Sequence, residues 1–314
     1  MNMENHITLV PSAPLASVAV APLFDRWIAY LDAPQKTVDT YNRNLRQFAG
    51  WIATRSISAP TREDVIAYRT WLLATGRKPA TIQAYMSAVK LFFAWTEAEG
   101  LYPNVAEHIK GAKLDREHKK DPLTVGQIKN LLTTPDTDTE QGARDYALLL
   151  LMLTTGLRTI SVAAANVGDL RTVGASSVLF YRGKGHDDKA IYVKIAAPVD
   201  AAIRAYLSMR GKLDASAPLF ASVAQQNSGE RMTTRSISRI CKGQLREADL
   251  DCDRLTAHSF RHTAATLNLL SGGTVEETQQ LLDHANINTT MIDVHALERD
   301  KNQSENRIAA AIFG

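Results

Sequence analysis

Cysteine and long apolar runs are both scarce in this sequence. Only two of the 314 residues are cysteines, Cys241 and Cys252. Their spacing matches no metal-binding motif, so we expect no bound metal and reduced thiols. The longest apolar stretches, such as residues 147–153, are far too short to cross a bilayer. No secretory signal is visible at the N-terminus. These absences favour a globular cytoplasmic protein with no membrane partner.

A strong excess of one charge is lacking as well. The chain contains 36 Lys and Arg and 33 Asp and Glu, a net charge of +3. Any contact with nucleic acid must therefore come from local patches. One candidate patch places five cations within eleven residues: Lys110, Lys113, Arg116, Lys119 and Lys120. It fits a solvated linker as well as a surface that binds DNA phosphates.

The length of the chain and its changes in pattern predict two domains. Residues 1–20 show no periodicity and are expected to form a flexible tail. Residues 21–111 predict an N-terminal helical domain. The charged segment 112–121 predicts a linker, and residues 122–314 predict a second, C-terminal domain.

Local patterns predict a mainly α fold with a small antiparallel β-sheet in the C-terminal domain. Apolar residues at spacings of three and four predict four helices in the first domain, and the second of these is expected to start at a cap on Thr37 or Asp39. Further capping motifs predict helix starts at Thr61, Thr124 and Thr274. Residues 143–155 predict a buried helix that ends near Gly156. Residues 178–181 and 190–195 predict two strands joined by a turn.

Five cationic or imidazole side chains suit the chemistry of a phosphodiester. They are Arg158 in Thr-Gly-Leu-Arg, Lys184 in Gly-Lys-Gly, His258 and Arg261 in His-x-x-Arg, and His284 in Leu-Asp-His. Attack on phosphorus adds negative charge to the non-bridging oxygens, and fixed cations lower that barrier. Arginine supplies two donors with permanent charge. Each motif alone is typical of an ordinary surface, so only their joint order indicates this chemistry.

This order and spacing resemble the catalytic domain of the tyrosine recombinases, the phage integrase family, over residues 122–314. The first domain is similar to the family's SAM-like core-binding domain. The resemblance implies that Arg158, Arg261, His258 and His284 bind the scissile phosphate, and that Lys184 protonates the departing 5′-oxygen. It also implies a clamp on double-stranded DNA with inverted half-sites, a homo-tetramer, 3′-phosphotyrosyl intermediates and a Holliday junction. No cofactor is implied, and the expected location is the bacterial cytoplasm at the nucleoid.

Three positions depart from the family pattern. Asp293 stands where the nucleophilic tyrosine is expected, and no tyrosine follows Tyr206. Aspartate is shorter than tyrosine and its charge is repelled by DNA, so we predict a chain that cannot cleave DNA. Such a chain is either an engineered, trapped enzyme or a naturally degenerate paralogue. Ser161 replaces the usual acidic residue, and Asp283 replaces the usual glycine.

Two other functions compete with this interpretation. The first is a DNA-binding regulatory or architectural protein with the same fold that is inactive by nature. The second is a metallohydrolase that uses His258 and His262 with Asp283 or His284 as ligands. The metallohydrolase leaves three of the cations unexplained. The apolar C-terminal residues 308–313 either fold back on their own domain or dock on a neighbouring subunit.

Overall fold

The computed structural model describes residues 20–113, 120–183, 189–283 and 304–313. The chain divides into two compact units, residues 1–117 and 118–314, and each is described separately. Among the described residues, no helix has the length and apolar character needed to cross a membrane.

The described residues of the N-terminal unit, 20–113, form a bundle of four α-helices with an aromatic core. The helices are α1 (Val20–Tyr30), α2 (Gln35–Ala53), α3 (Arg62–Ala74) and α4 (Pro79–Ala98). Phe48 on α2 packs edge-to-face on Tyr68 of α3 with ring centroids 4.9 Å apart, and it packs edge-to-face on Phe93 of α4 at 6.0 Å. All three rings are buried. The predicted stripes of apolar residues therefore form a core rather than a base-stacking surface.

Helix starts follow the sequence where a capping motif is complete. The Thr61 side chain accepts from the Asp64 amide while Asp64 accepts from the Thr61 amide, and Thr124 and Thr274 make the same reciprocal pairs with Gln127 and Glu277. These three starts are confirmed. The predicted start of α2 is wrong: the helix begins at Gln35, directly after Pro34. Proline has no amide hydrogen and a fixed φ near that of a helix, which suits this boundary.

The C-terminal unit combines eight α-helices with one small sheet among its described residues. Its elements are α5 (Val125–Leu131), α6 (Glu140–Thr155), α7 (Thr159–Ala164), β1 (Leu170–Val173), β2 (Ser176–Tyr181), β3 (Ile191–Ile195), α8 (Ala197–Met209), α9 (Thr234–Glu247), α10 (Ala257–Leu270), α11 (Val275–Leu282) and α12 (Ser304–Phe313). The strands are antiparallel in the order β1-β2-β3, with Tyr181 opposite Ile191. The predicted fold class is confirmed.

Helix α6 forms the centre of this unit. Its apolar residues from Ala147 to Leu153 are buried except for the half-buried Leu150, because other elements surround it, α8 and α10 above all. Near its start, the buried pair Arg144 and Asp145 is joined at 2.7 Å, and the Arg144 guanidinium also donates to the Ala221 carbonyl. Because α6 is packed on almost every side, its position fixes where residues 156–158 leave its C-terminal end.

Candidate functional site

Gly156 ends α6 and aims the chain towards α7. It adopts the left-handed conformation, with φ +63° and ψ +16°, which glycine enters without a steric penalty. A Cβ at this position would lie 2.4 Å from Leu282 Cδ2 and 3.3 Å from Ala264 Cβ. The tight turn then places Arg158 directly before the first residue of α7.

Arg261 is held from within the domain by the ends of two helices. Arg261 is only 6% exposed to solvent. Nη1 donates to the Gly156 carbonyl at 2.7 Å, and Nη2 donates to the carbonyl of Leu282, the last residue of α11. Helix C-termini carry partial negative charge, so both contacts favour a cation. The guanidinium therefore joins the C-terminal ends of α6 and α11 to α10.

Arg158 is anchored to the same end of α11 by a different group. Its Nη2 donates to the Asp283 carbonyl at 3.3 Å, and its Nη1 lies 3.7 Å from Asp283 Oδ2. Both side chains are about one quarter exposed, at 27% and 28%. Arg158 and Arg261 thus share one tether, the turn formed by residues 282 and 283.

A cavity of about 580 Å³ brings three of the predicted site residues together. Arg158, His258 and Arg261 all line it, with Ser238 and Lys242 of α9 among the remaining lining residues. His258 and Arg261 lie three residues apart on α10, so both face this cavity. The His258 ring also contacts the His262 ring edge-on, with centroids 4.7 Å apart.

Helix α7 connects Arg158 to the base of the β2–β3 turn. The Ser161 hydroxyl donates to the Arg182 carbonyl at 3.2 Å, just after β2. On the other side of the turn, Lys189 Nζ donates to the Ala164 carbonyl at 2.9 Å and pairs with the buried Asp169 carboxylate. Ser161 therefore supports the turn rather than Arg158.

Tyr181, at the end of β2, lies within the electrostatic reach of this cluster. Burial is the main cause that raises the pKa of its phenol, and the Asp283 charge raises it further. The positive charges of Arg261 and Arg158 lower the pKa and so offset part of this rise. The residue is only 3% exposed, so its hydroxyl is not presented to a substrate.

Several predicted site residues lie outside the described residues. These are Lys184, His284, Asp293, Arg116 and Lys119. In the described part of the basic cluster, Lys110 and Lys113 are exposed, and the Lys120 ammonium donates to the Asp253 carbonyl at 2.6 Å. The DNA-contacting role of the cluster remains a prediction.

Helix α9 carries a basic stripe whose residues are not among the predicted site residues. We name Arg235, Arg239, Lys242 and Arg246 the α9 stripe. Their spacings of four, three and four place them on one face, while Ile237, Cys241 and Leu245 are buried on the other. Arg235, Arg239 and Arg246 are exposed. The spacing was visible in the sequence, but only the fold shows that this face continues from the cavity.

A metal centre has little support from the described side chains. His258 and His262 are adjacent, yet residues 20–113, 120–183, 189–283 and 304–313 contain no group of three His, Cys, Asp or Glu arranged to hold a metal ion. The third ligand of the competing metallohydrolase hypothesis would thus have to come from elsewhere, such as His284.

Comparison with known proteins identifies the family. Residues 122–299 match the phage integrase family, and residues 24–100 match the phage integrase N-terminal SAM-like domain. The chain belongs to the phage integrase family. It is, by family, a site-specific tyrosine recombinase, a class of enzymes that acts on DNA.

Relatives within this family include both curated sequences and solved structures. Tyrosine recombinase XerC of Herpetosiphon aurantiacus is 30% identical over 284 residues, covering 86% of this chain and 89% of that protein. The post-cleavage complex of XerH bound to a palindromic difH substrate has a TM-score of 0.66 at 19% identity, covering 88% and 78% of the two chains. A lambda integrase tetramer bound to a Holliday junction has a TM-score of 0.63 at 17% identity, covering 86% and 76%. These two structures share the fold.

Replacing Gly156 by alanine tests how closely the two arginine-bearing regions pack. The expected cost combines about 1 kcal/mol for a left-handed alanine with a further 1–3 kcal/mol or so for crowding against Leu282 and Ala264. Gly174→Ala is the matched control, because Gly174 has φ +60° and a Cβ added there would meet no described atom within 4 Å. Urea unfolding measures both variants. Equal losses of stability would contradict the crowding.

Proposed function

We propose that this chain binds double-stranded DNA with inverted half-sites and engages one scissile phosphate in the cavity between α7, α9 and α10. The observation that carries the proposal is the shared cavity of Arg158, His258 and Arg261. In this proposal the two arginines bind the non-bridging oxygens, and His258 and His284 add further donors. Lys184 would protonate the leaving 5′-oxygen. The protein would act in the bacterial cytoplasm at the nucleoid.

The electrostatics of the described site support phosphate binding. Arg261 is held by two carbonyl oxygens, whose partial charges do not cancel the full charge of the guanidinium. It is also fixed before any ligand arrives, so little reorganisation is needed when negative charge develops. A mobile surface arginine would lose side-chain entropy on binding the same phosphate.

We further propose that the chain does not cleave the DNA it binds. Asp293 stands at the position of the nucleophile, and a carboxylate is both shorter than a phenol and repelled by the phosphate. Tyr181 is not available for this role, because it is only 3% exposed. The result would be a recombinase that binds and assembles without exchanging strands.

A nicked duplex that traps covalent intermediates tests this inactivity. We expect no protein–DNA adduct from the unaltered chain, because Asp293 stands where the attacking phenol is expected. An Asp293→Tyr variant should form an adduct, resolved by denaturing electrophoresis, and the Arg158→Ala change in that variant should abolish it.

The outcomes separate the competing functions. An adduct from the unaltered chain would disprove the proposed inactivity. If the Asp293→Tyr variant binds DNA but forms no adduct, the chain is better described as a DNA-binding regulator.

The α9 stripe is our proposed DNA-contacting surface of the C-terminal unit. Arg235 and Arg239 are exposed, and neither pairs with a carboxylate among the described residues. Lys242 links the stripe to the cavity, although it and Arg246 are bridged by Asp251. A duplex whose phosphate enters the cavity would therefore meet further cations along this helix.

Alanine at Arg235 and at Arg239 should weaken duplex binding, because each removes one phosphate contact. The slope of log K against log salt should fall by about one for each arginine. Fluorescence anisotropy over a range of KCl concentrations measures both quantities. Arg204→Ala is the control, since Asp200 already pairs with Arg204 at 2.6 Å on α8. Unchanged slopes in both test variants would refute this surface.

We propose that α12 joins subunits in a homo-tetramer. Its side chains Ile308, Ile312 and Phe313 are 59%, 66% and 85% exposed, so the described part of their own unit does not cover them. Three exposed apolar side chains on ten residues favour burial against another copy.

Deleting residues 305–314 should reduce tetramer formation on DNA while single-site binding remains. Native electrophoresis with a duplex carrying paired half-sites distinguishes the two species, and the unaltered chain is the reference. Undiminished tetramer formation after the deletion would argue that α12 has no such role.

A further inference from the structure

Asp283 occupies a backbone conformation that side chains seldom adopt. It caps α11 with φ +49° and ψ +53°, in the left-handed region where glycine is the usual residue and aspartate is among the few others tolerated. Any residue would supply the backbone carbonyl that accepts from Arg158. Only an acidic residue would also supply a negative charge here.

That charge lies at the proposed phosphate site. Among the described residues, Asp283 is the one carboxylate within 4 Å of the Arg158 guanidinium, at 3.7 Å. Its influence extends to Tyr181, where its charge opposes those of Arg261 and Arg158. The two arginines and this carboxylate therefore form one electrostatic cluster.

The partial exposure of Arg158 and Asp283 determines whether the carboxylate affects folding stability or anion binding. With both side chains about one quarter exposed, the pair contributes little to folding stability. An incoming phosphate, however, is drawn by Arg158 and repelled by Asp283 at close range. The carboxylate thus lowers the net positive charge that the site offers to DNA.

We propose that Asp283 is a built-in counter-ion of Arg158 that competes with the DNA phosphate and sets the affinity of this site. The inference rests on the proposed function, since it assumes that Arg158 binds phosphate. The Asp283 carbonyl keeps Arg158 in place, while the carboxylate determines how strongly the guanidinium attracts an anion.

Duplex binding by Asp283→Asn and Asp283→Gly tests the competition. Both variants keep the backbone carbonyl and tolerate a positive φ, and both remove the charge. We expect duplex affinity to rise about three- to tenfold and the salt slope to steepen by about one. Asp200→Asn is the matched control, since it removes one charge from α8, where Asp200 bonds to Ser177 and Arg204. It should change affinity less than twofold or so.

Affinity that is unchanged or weaker in both Asp283 variants would overturn the inference. A second measurement follows the rate at which phenylglyoxal modifies Arg158, read by peptide mass spectrometry in folded protein without DNA. Loss of the counter-ion should accelerate this modification, with Arg171 as the internal reference. If no form of the protein binds duplex DNA, the proposed function fails. In that case the modification rate alone decides whether Asp283 pairs with Arg158, and an unchanged rate would reject the pairing.

Discussion

The site depends on a buried cation held by the ends of two helices. Arg261 spans from the Gly156 carbonyl to the Leu282 carbonyl, and these contacts satisfy donors that would be costly to bury alone. Gly156 makes this possible, because a side chain there would collide with Leu282. The same turn that receives Arg261 also releases the chain towards Arg158. A single left-handed residue therefore sets the positions of both guanidinium groups.

The two arginines are balanced by different kinds of negative charge. Arg261 faces helix ends, which are fixed parts of the backbone, whereas Arg158 faces the carboxylate of Asp283. A backbone carbonyl is present whichever side chain its residue carries, but a carboxylate is lost by a single substitution. Arg261 is consequently the constant element of the cluster, and the charge around Arg158 is the part that sequence changes adjust.

The sequence predicted those features that depend on a few adjacent residues. The capping motifs at Thr61, Thr124 and Thr274 each lie within four residues, and the helix that ends at Gly156 follows from its apolar run. Strand β1 was missed because its four residues have little burial contrast. The contact between Arg158 and Asp283 could not be read from the sequence, since it joins positions 125 residues apart. The position of the α9 stripe beside the cavity could not be read from the sequence either, because it depends on how α9 packs against α7 and α10.

Helix α7 has a mechanical consequence that follows from its shortness. Arg158 precedes its first residue, Ser161 bonds to Arg182, and the Ala164 carbonyl bonds to Lys189. Six residues make less than two turns, too few to bend between these attachments. We therefore expect the arginine and both ends of the strand connection to move together, so that the spacing among these three points is preserved when the surrounding helices shift.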